Sequence, residues 1–150
     1  MPLDAPLPST ADLHARGVEA RRATARRDLA TLTVATRDPL GILAAQNETR
    51  IPDLIGLRAE RMSTDPFAFY RGTAALMAAD LADDPHSGIV VASCGDAHVA
   101  NFGFYASPQR TLVFDLNDFD EAAWAPWEWD VKRLVTSIVV GGRHLSLIHI

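Results

Sequence analysis

A chain of 150 residues that is 48% hydrophobic and 22% charged can bury one core and has the balance of an ordinary globular domain. Its formal charge of −5 excludes a general nucleic-acid binder, and its one cysteine, Cys94, excludes an internal disulfide or a cysteine-rich zinc cage. No apolar run nears the ~20 residues that span a bilayer, and the N-terminus lacks the basic start and apolar stretch of a signal peptide, so a cytoplasmic protein with no membrane partner is expected.

Residues 1–9, with Pro2, Pro6 and Pro8, read as a disordered lead-in. Thr10 can cap a helix over residues 11–32, whose arginines (Arg16, Arg21, Arg22, Arg26, Arg27) outnumber its apolar anchors. That balance suits a solvated helix better than a phosphate- or RNA-binding arm. Asp38-Pro39 opens a second helix, with Leu40, Ile42 and Leu43 at its apolar positions. A third covers residues 51–62, with Leu54, Ile55 and Leu57 as its buried side. Asp65-Pro66 opens a fourth, in which Phe67, Tyr70, Ala74, Met77, Ala78 and Leu81 keep a three-four spacing. Within it lies Arg71, a surface or salt-bridged residue unless a phosphate claims it.

A turn over 83–88 leads into a short buried strand, 89–92, which ends at the loop Cys94-Gly95-Asp96. Residues 102–106 and 111–114 read as two strands of a hairpin joined by Ser107-Pro108-Gln109-Arg110. Ala125-Pro126 breaks the chain. Residues 127–140 then form a helix with Trp127, Val131, Leu134, Val135 and Ile138 on its apolar side, ended by Gly141-Gly142. The fold class is α+β: mostly helical, with a small antiparallel hairpin carrying an acidic site. The string 145–150 is apolar without closing anything, so it is expected to be a non-native tail on a truncated reading frame, with 10–144 as the domain.

The acidic segments carry the chemistry. Asp96 and Asn101 stand five residues apart in a loop that leaves a strand, and the hairpin that follows delivers Asp115. Base, amide, hairpin and carboxylate in that order are the order of a kinase catalytic core. Magnesium takes oxygen ligands in octahedral geometry, which Asp and Asn provide. Asp118 and Asp120 compete with Asp115, which is preferred because it follows directly on the apolar strand. A turn-forming role, each side chain bonding its own backbone, is the plainer reading of any one of these residues.

Gly95-Asp96-Ala97-His98-Val99-Ala100-Asn101 resembles the Gly-Asp-x-His-x-x-Asn loop of aminoglycoside and choline phosphotransferases, in the protein-kinase-like superfamily. Val113-Phe114-Asp115 resembles their apolar-apolar-Asp metal motif, and Pro126-Trp127-Glu128-Trp129-Asp130 their later helix. More closely, residues 37–143 resemble the DUF2252 family of uncharacterised bacterial proteins, through Arg37-Asp38-Pro39, Phe67-Ala68-Phe69-Tyr70-Arg71-Gly72, and the segments 95–103, 114–121 and 127–133. The resemblance implies part of a kinase-like C-lobe, with Mg2+ and ATP as cofactors and a small-molecule or protein hydroxyl as acceptor. It implies Asp96 as proton acceptor, Asn101 and Asp115 (or Asp118, Asp120) as metal ligands, Asp130 as a brace for the loop and His98 as its support. Members of that family are longer, so this length alone is expected to be inactive.

The sequence departs from the kinase pattern in its phosphate clamp. No glycine-rich loop is present, and the one lysine, Lys132, lies downstream in the last helix, so Arg71 is the candidate phosphate contact. The other readings are a non-catalytic nucleotide-binding pseudokinase, a metallophosphoesterase, which would want more histidines at strand ends, and a cysteine hydrolase on Cys94 and His98.

Overall fold

Proline and a capping acid start two of the helices and proline alone a third. In the computed structural model, residues 7–33 and 36–147 are described, so residues 1–6 of the expected lead-in and 148–150 of the expected tail lie outside the described residues. Helix α1 (Thr10–Ala23) is capped by Ser9, whose hydroxyl accepts from the Asp12 amide while the Asp12 carboxylate takes the Ser9 amide. The cap thus sits one residue before the expected Thr10, and the helix ends at Ala23 rather than 32. Its three arginines (Arg16, Arg21, Arg22) and Arg26 and Arg27 beyond it are exposed, and no residue of α1 is buried.

Helix α2 (Pro39–Asn47) has Asp38 bonding the Gly41 amide at 2.9 Å, and α3 (Pro52–Met62) begins directly on proline. Asp65 takes the Phe67 and Ala68 amides, both at 2.8 Å, to start α4 (Pro66–Arg71). The expected fourth helix is two. Thr73 bonds back to the Phe69 and Tyr70 carbonyls, and the Gly72 carbonyl is taken by Arg58, so the chain turns before α5 (Ala74–Leu81). A Cβ on Gly72 would lie 2.6 Å from the Met62 sulfur, so glycine lets α3 and α4 close on each other here.

Strand β1 (Val90–Ser93) pairs antiparallel with β4 (Ala123–Pro126), Val91 opposite Ala125. Strands β2 (Phe102–Ala106) and β3 (Leu112–Leu116) form the expected hairpin, Phe104 opposite Phe114. These are two separate two-stranded sheets, and residues 94–122 form an excursion whose base is the β1–β4 ladder. Strand β1 is not the expected buried strand: of its four residues only Ser93 is buried. The mixture of helices and small antiparallel sheets is an α+β fold.

Helix α6 (Trp127–His144) runs through Gly141-Gly142 and presents the unexpected face to the interior. Its buried residues are Glu128, Arg133, Ser137 and Gly141, while Val131, Val135 and Ile138 are about half exposed. The reason lies in what α6 covers. Besides Leu76, Leu81, Cys94 and three alanines, the buried set holds Thr73, Asp84, Ser93, His98 and Asn101, so the interior calls for hydrogen-bonding partners rather than a hydrophobic stripe. Among the described residues, no helix is long and apolar enough to cross a membrane.

Candidate active site

The loop after β1 takes its shape from Gly95. Its φ is +79°, and a Cβ there would lie 2.1 Å from the Glu121 carbonyl oxygen, so only glycine lets the returning chain pass over the loop. Helix α6 then holds the loop along one face, with Asp130, Arg133 and Ser137 spaced about one turn apart. The Asp130 carboxylate accepts from the Cys94 and Gly95 amides at 2.9 and 3.1 Å. The Ser137 hydroxyl, fully buried, accepts from the Val99 amide at 2.8 Å and donates to the Leu134 carbonyl.

Arg133 is the centre of this network. Its Nε lies 2.5 Å from Asp96 Oδ1, its Nη2 donates to the Tyr70 carbonyl at 3.0 Å, and its guanidinium stacks 4.5 Å from the Tyr70 ring centroid. The Tyr70 hydroxyl donates in return to the Arg133 carbonyl at 2.9 Å. One buried guanidinium thereby joins the Asp96 loop to the end of α4. The other carboxylate oxygen, Asp96 Oδ2, has His98 Nε2 at 3.7 Å, too far for a hydrogen bond. Burial pushes the His98 imidazole below its ordinary pKa, with Asp96 opposing and Arg133 and Arg71 reinforcing the shift, so it is neutral and this contact is not an ion pair. His98 Nδ1 is buried without a partner among the described residues.

Asn101 is buried, and its Nδ2 donates to the Asp96 carbonyl at 2.9 Å, which leaves its Oδ1 free for a ligand. The three rival acids part company. Asp118 lines a cleft of about 780 Å³ together with Asp96, His98 and Asn101, whereas Asp115 and Asp120 do not line it. Asp115 is exposed on β3 opposite Gly103, and its carboxylate accepts from the next amide, Leu116, at 2.8 Å. Asp120 is also exposed, and its amide donates to Asp118 Oδ1 at 3.3 Å. Among the described residues no three His, Cys, Asp or Glu side chains form a group able to hold a metal ion.

Of the arginines that line the cleft, the sequence pointed only to Arg71. Arg50, Arg58 and Arg61 line it too, with Leu54 and Leu57 between them. The apolar residues of α3 expected in the core thus face the cleft, and Leu54 and Leu57 stay 51% and 42% exposed. The signal was present in the spacing: Leu54, Arg58 and Arg61 repeat at four and three residues and share one helix face. The Arg58 Nη2 donates to the Gly72 carbonyl at 2.7 Å, and burial together with neighbouring Arg50 pushes its guanidinium below its ordinary pKa.

Cys94 is no nucleophile in this setting. Burial, and then the facing Asp130, push its thiol up to about 11, so almost no thiolate exists near neutrality. Two other polar residues serve the frame: buried Asp84 pairs with Lys132 at 2.8 Å, and buried Glu128 accepts from the Ser87 amide at 2.8 Å.

No curated protein and no solved structure matches the chain. A family model does, over residues 50–149: that of an uncharacterized protein conserved in bacteria, DUF2252. The match takes in every residue lining the cleft but Thr49, the Asp96 loop, both small sheets and α6, and leaves Arg37-Asp38-Pro39 outside it.

Proposed function

The chain belongs to the DUF2252 family, and on that premise we propose that its cleft is a magnesium-dependent phosphoryl-transfer site acting on a small-molecule or protein hydroxyl. The observation that supports this reading is the meeting of Asp96, Asn101 and Asp118 in one cleft lined also by arginines. Phosphoryl transfer asks a protein for little covalent chemistry. It asks for a carboxylate beside the attacking hydroxyl and for positive charge on the phosphate oxygens.

Asp96 is the proton acceptor in this reading. Arg133 fixes its Oδ1, so Oδ2 is the atom left for an acceptor hydroxyl, and neutral His98 beside it does not compete as an ion-pair partner. Asn101 through Oδ1 and Asp118 through its carboxylate would hold the magnesium ion, which supplies charge neutralisation on ATP phosphates. The protein's own contribution is placement: Asp130 and Ser137 fix the loop backbone on either side of Asp96, so the carboxylate and the Asn101 amide stay in register without a ligand. The kinase-like likeness of the loop, drawn from its residue pattern, points the same way.

The Arg133–Asp96 pair also favours a second reading, nucleotide binding without transfer, because Arg133 already occupies one oxygen of the Asp96 carboxylate at 2.5 Å. One experiment separates the two. With γ-labelled ATP and magnesium, an intact family member carrying this site is expected to move label to water or to protein, and the change equivalent to Asp96→Asn is expected to lower that rate about a thousandfold. Nucleotide binding with no transfer in either protein would establish the second reading, and equal rates in both would remove Asp96 from its role.

A further inference from the structure

We propose that the arginine wall of the cleft is a polyphosphate-binding site, in which Arg50, Arg58, Arg61 and Arg71 hold a phosphate chain without a lysine clamp. The inference rests on the transfer reading only for what becomes of the chain once it is bound.

Charge balance is the first ground. The chain as a whole is acidic, with a net charge of −5, yet four guanidiniums line this one cleft. The carboxylates lining it are Asp96 and Asp118, and Asp96 is already paired with Arg133. Among the described residues none of the four arginines has a carboxylate within ion-pair distance. Arginines gathered at this density without ion-pair partners repel one another, and at partly buried Arg58 the repulsion from Arg50 outweighs the attraction of Glu121 or of Asp96. An anion removes that repulsion.

Hydrogen bonding is the second ground. Each guanidinium offers five N–H donors in a planar fork, so the four together present roughly twenty. A backbone carbonyl, that of Gly72, takes one from Arg58, while the buried Nε of Arg50 has no partner among the described residues. One phosphate or carboxylate cannot accept so many. A chain of linked phosphates can, because it presents oxygens along its length to forks on different elements. Here they come from a position two residues before α3, from two positions three apart on α3, and from the last residue of α4. Arginine meets phosphate through paired N–H bonds, which suits recognition of the chain rather than of a point charge.

Position is the third ground. The arginines share their cleft with Asp96, Asn101 and Asp118, so a chain held by them lies in the same cleft as those residues. Two sources offer this chemistry, a nucleoside triphosphate and inorganic polyphosphate.

The test is titration calorimetry with inorganic tripolyphosphate and with ATP, first in EDTA and then in magnesium. Arg61→Gln and Arg71→Gln are the variants, since both side chains belong to exposed residues and can be replaced without disturbing the interior. Tripolyphosphate is expected to bind in EDTA, each glutamine variant to weaken it about tenfold, and lysine at the same positions to restore part of the loss. ATP binding more tightly than tripolyphosphate identifies the nucleotide as the source, and equal affinity identifies the inorganic chain. Tripolyphosphate affinity unchanged in both variants overturns the proposal, as does binding of a single-stranded oligonucleotide with none of tripolyphosphate. Arginine-dependent binding without label transfer from ATP leaves this site standing and removes the transfer reading. Transfer with arginine-independent binding does the reverse.

Discussion

Residues 94–101 and residues 115–120 are both short acidic segments at strand ends, and they are held in opposite ways. In the first, backbone and side chains are tied to α6 and to each other: Asp130 on two amides, Ser137 on a third, Arg133 on Asp96, and Asn101 on the Asp96 carbonyl. In the second, Asp115 and Asp118 bond only to amides one and two residues along, and Asp115 and Asp120 are exposed. The lesson is a division of labour. A segment fixed before a ligand arrives spends none of the binding energy on being positioned, whereas free carboxylates can follow the ligand they meet.

The largest expected effect comes from cutting the first segment loose. Arg133→Met leaves the partly buried Asp96 carboxylate unpaired and removes one of the donors to the Tyr70 carbonyl, and urea unfolding is expected to register a loss of about 3 kcal/mol. A loss under half that size would mean that α6 holds the loop without its arginine. Gly95→Ala comes next, at roughly 2 kcal/mol, from a side chain at positive φ meeting the Glu121 carbonyl. The same urea experiment measures it, and a neutral result would show that the returning chain does not press on the loop.

A smaller effect is tied to pH. His98 has a folded pKa lowered from 6.5, so its contribution is present in full above 6.5. Below that value the unfolded chain takes up a proton that the folded chain refuses, and stability falls as pH drops through the lowered folded value. His98→Gln is expected to flatten this part of the stability–pH curve, and an unaltered slope would place the titration elsewhere. The smallest effects belong to the second segment. Asp115→Ala, Asp118→Ala and Asp120→Ala are each expected to change stability by no more than about 0.5 kcal/mol. Of the three, Asp118→Ala should weaken magnesium–nucleotide binding most in a calorimetric titration. If Asp115→Ala weakens it more, the ligand draws the hairpin acid in.

Local signals in the sequence proved reliable where they act locally. Asp38-Pro39 and Asp65-Pro66 start helices because an aspartate oxygen takes free amides and proline has the φ a first turn needs. The hairpin turn is likewise set by neighbours, and the order Asp96, Asn101, hairpin, Asp115 could be read directly. What could not be read depends on partners distant in the chain. Strand β4 looks like a break at Ala125-Pro126, and it is a strand only because β1 lies beside it. The spacing of Val131, Val135 and Ile138 pointed to the wrong face of α6, since hydrophobic periodicity presumes an apolar interior and this interior is polar. Nothing within α3 tells that the Asp96 loop shares a cleft with it.

The β1–β4 ladder has a consequence for how the protein folds. Val91 and Ala125 can pair only after the whole intervening excursion has been drawn in, a closure that costs roughly 3 kcal/mol in chain entropy before it returns a contact. Pairings so far apart in sequence tend to form late. Glu121 reaches its place over Gly95 only when that ladder closes, and α6 starts where the ladder ends. The cleft is thus among the last parts to exist on the way in and among the first to be lost on the way out. A molecule bound there should leave the refolding rate almost unchanged and slow unfolding instead.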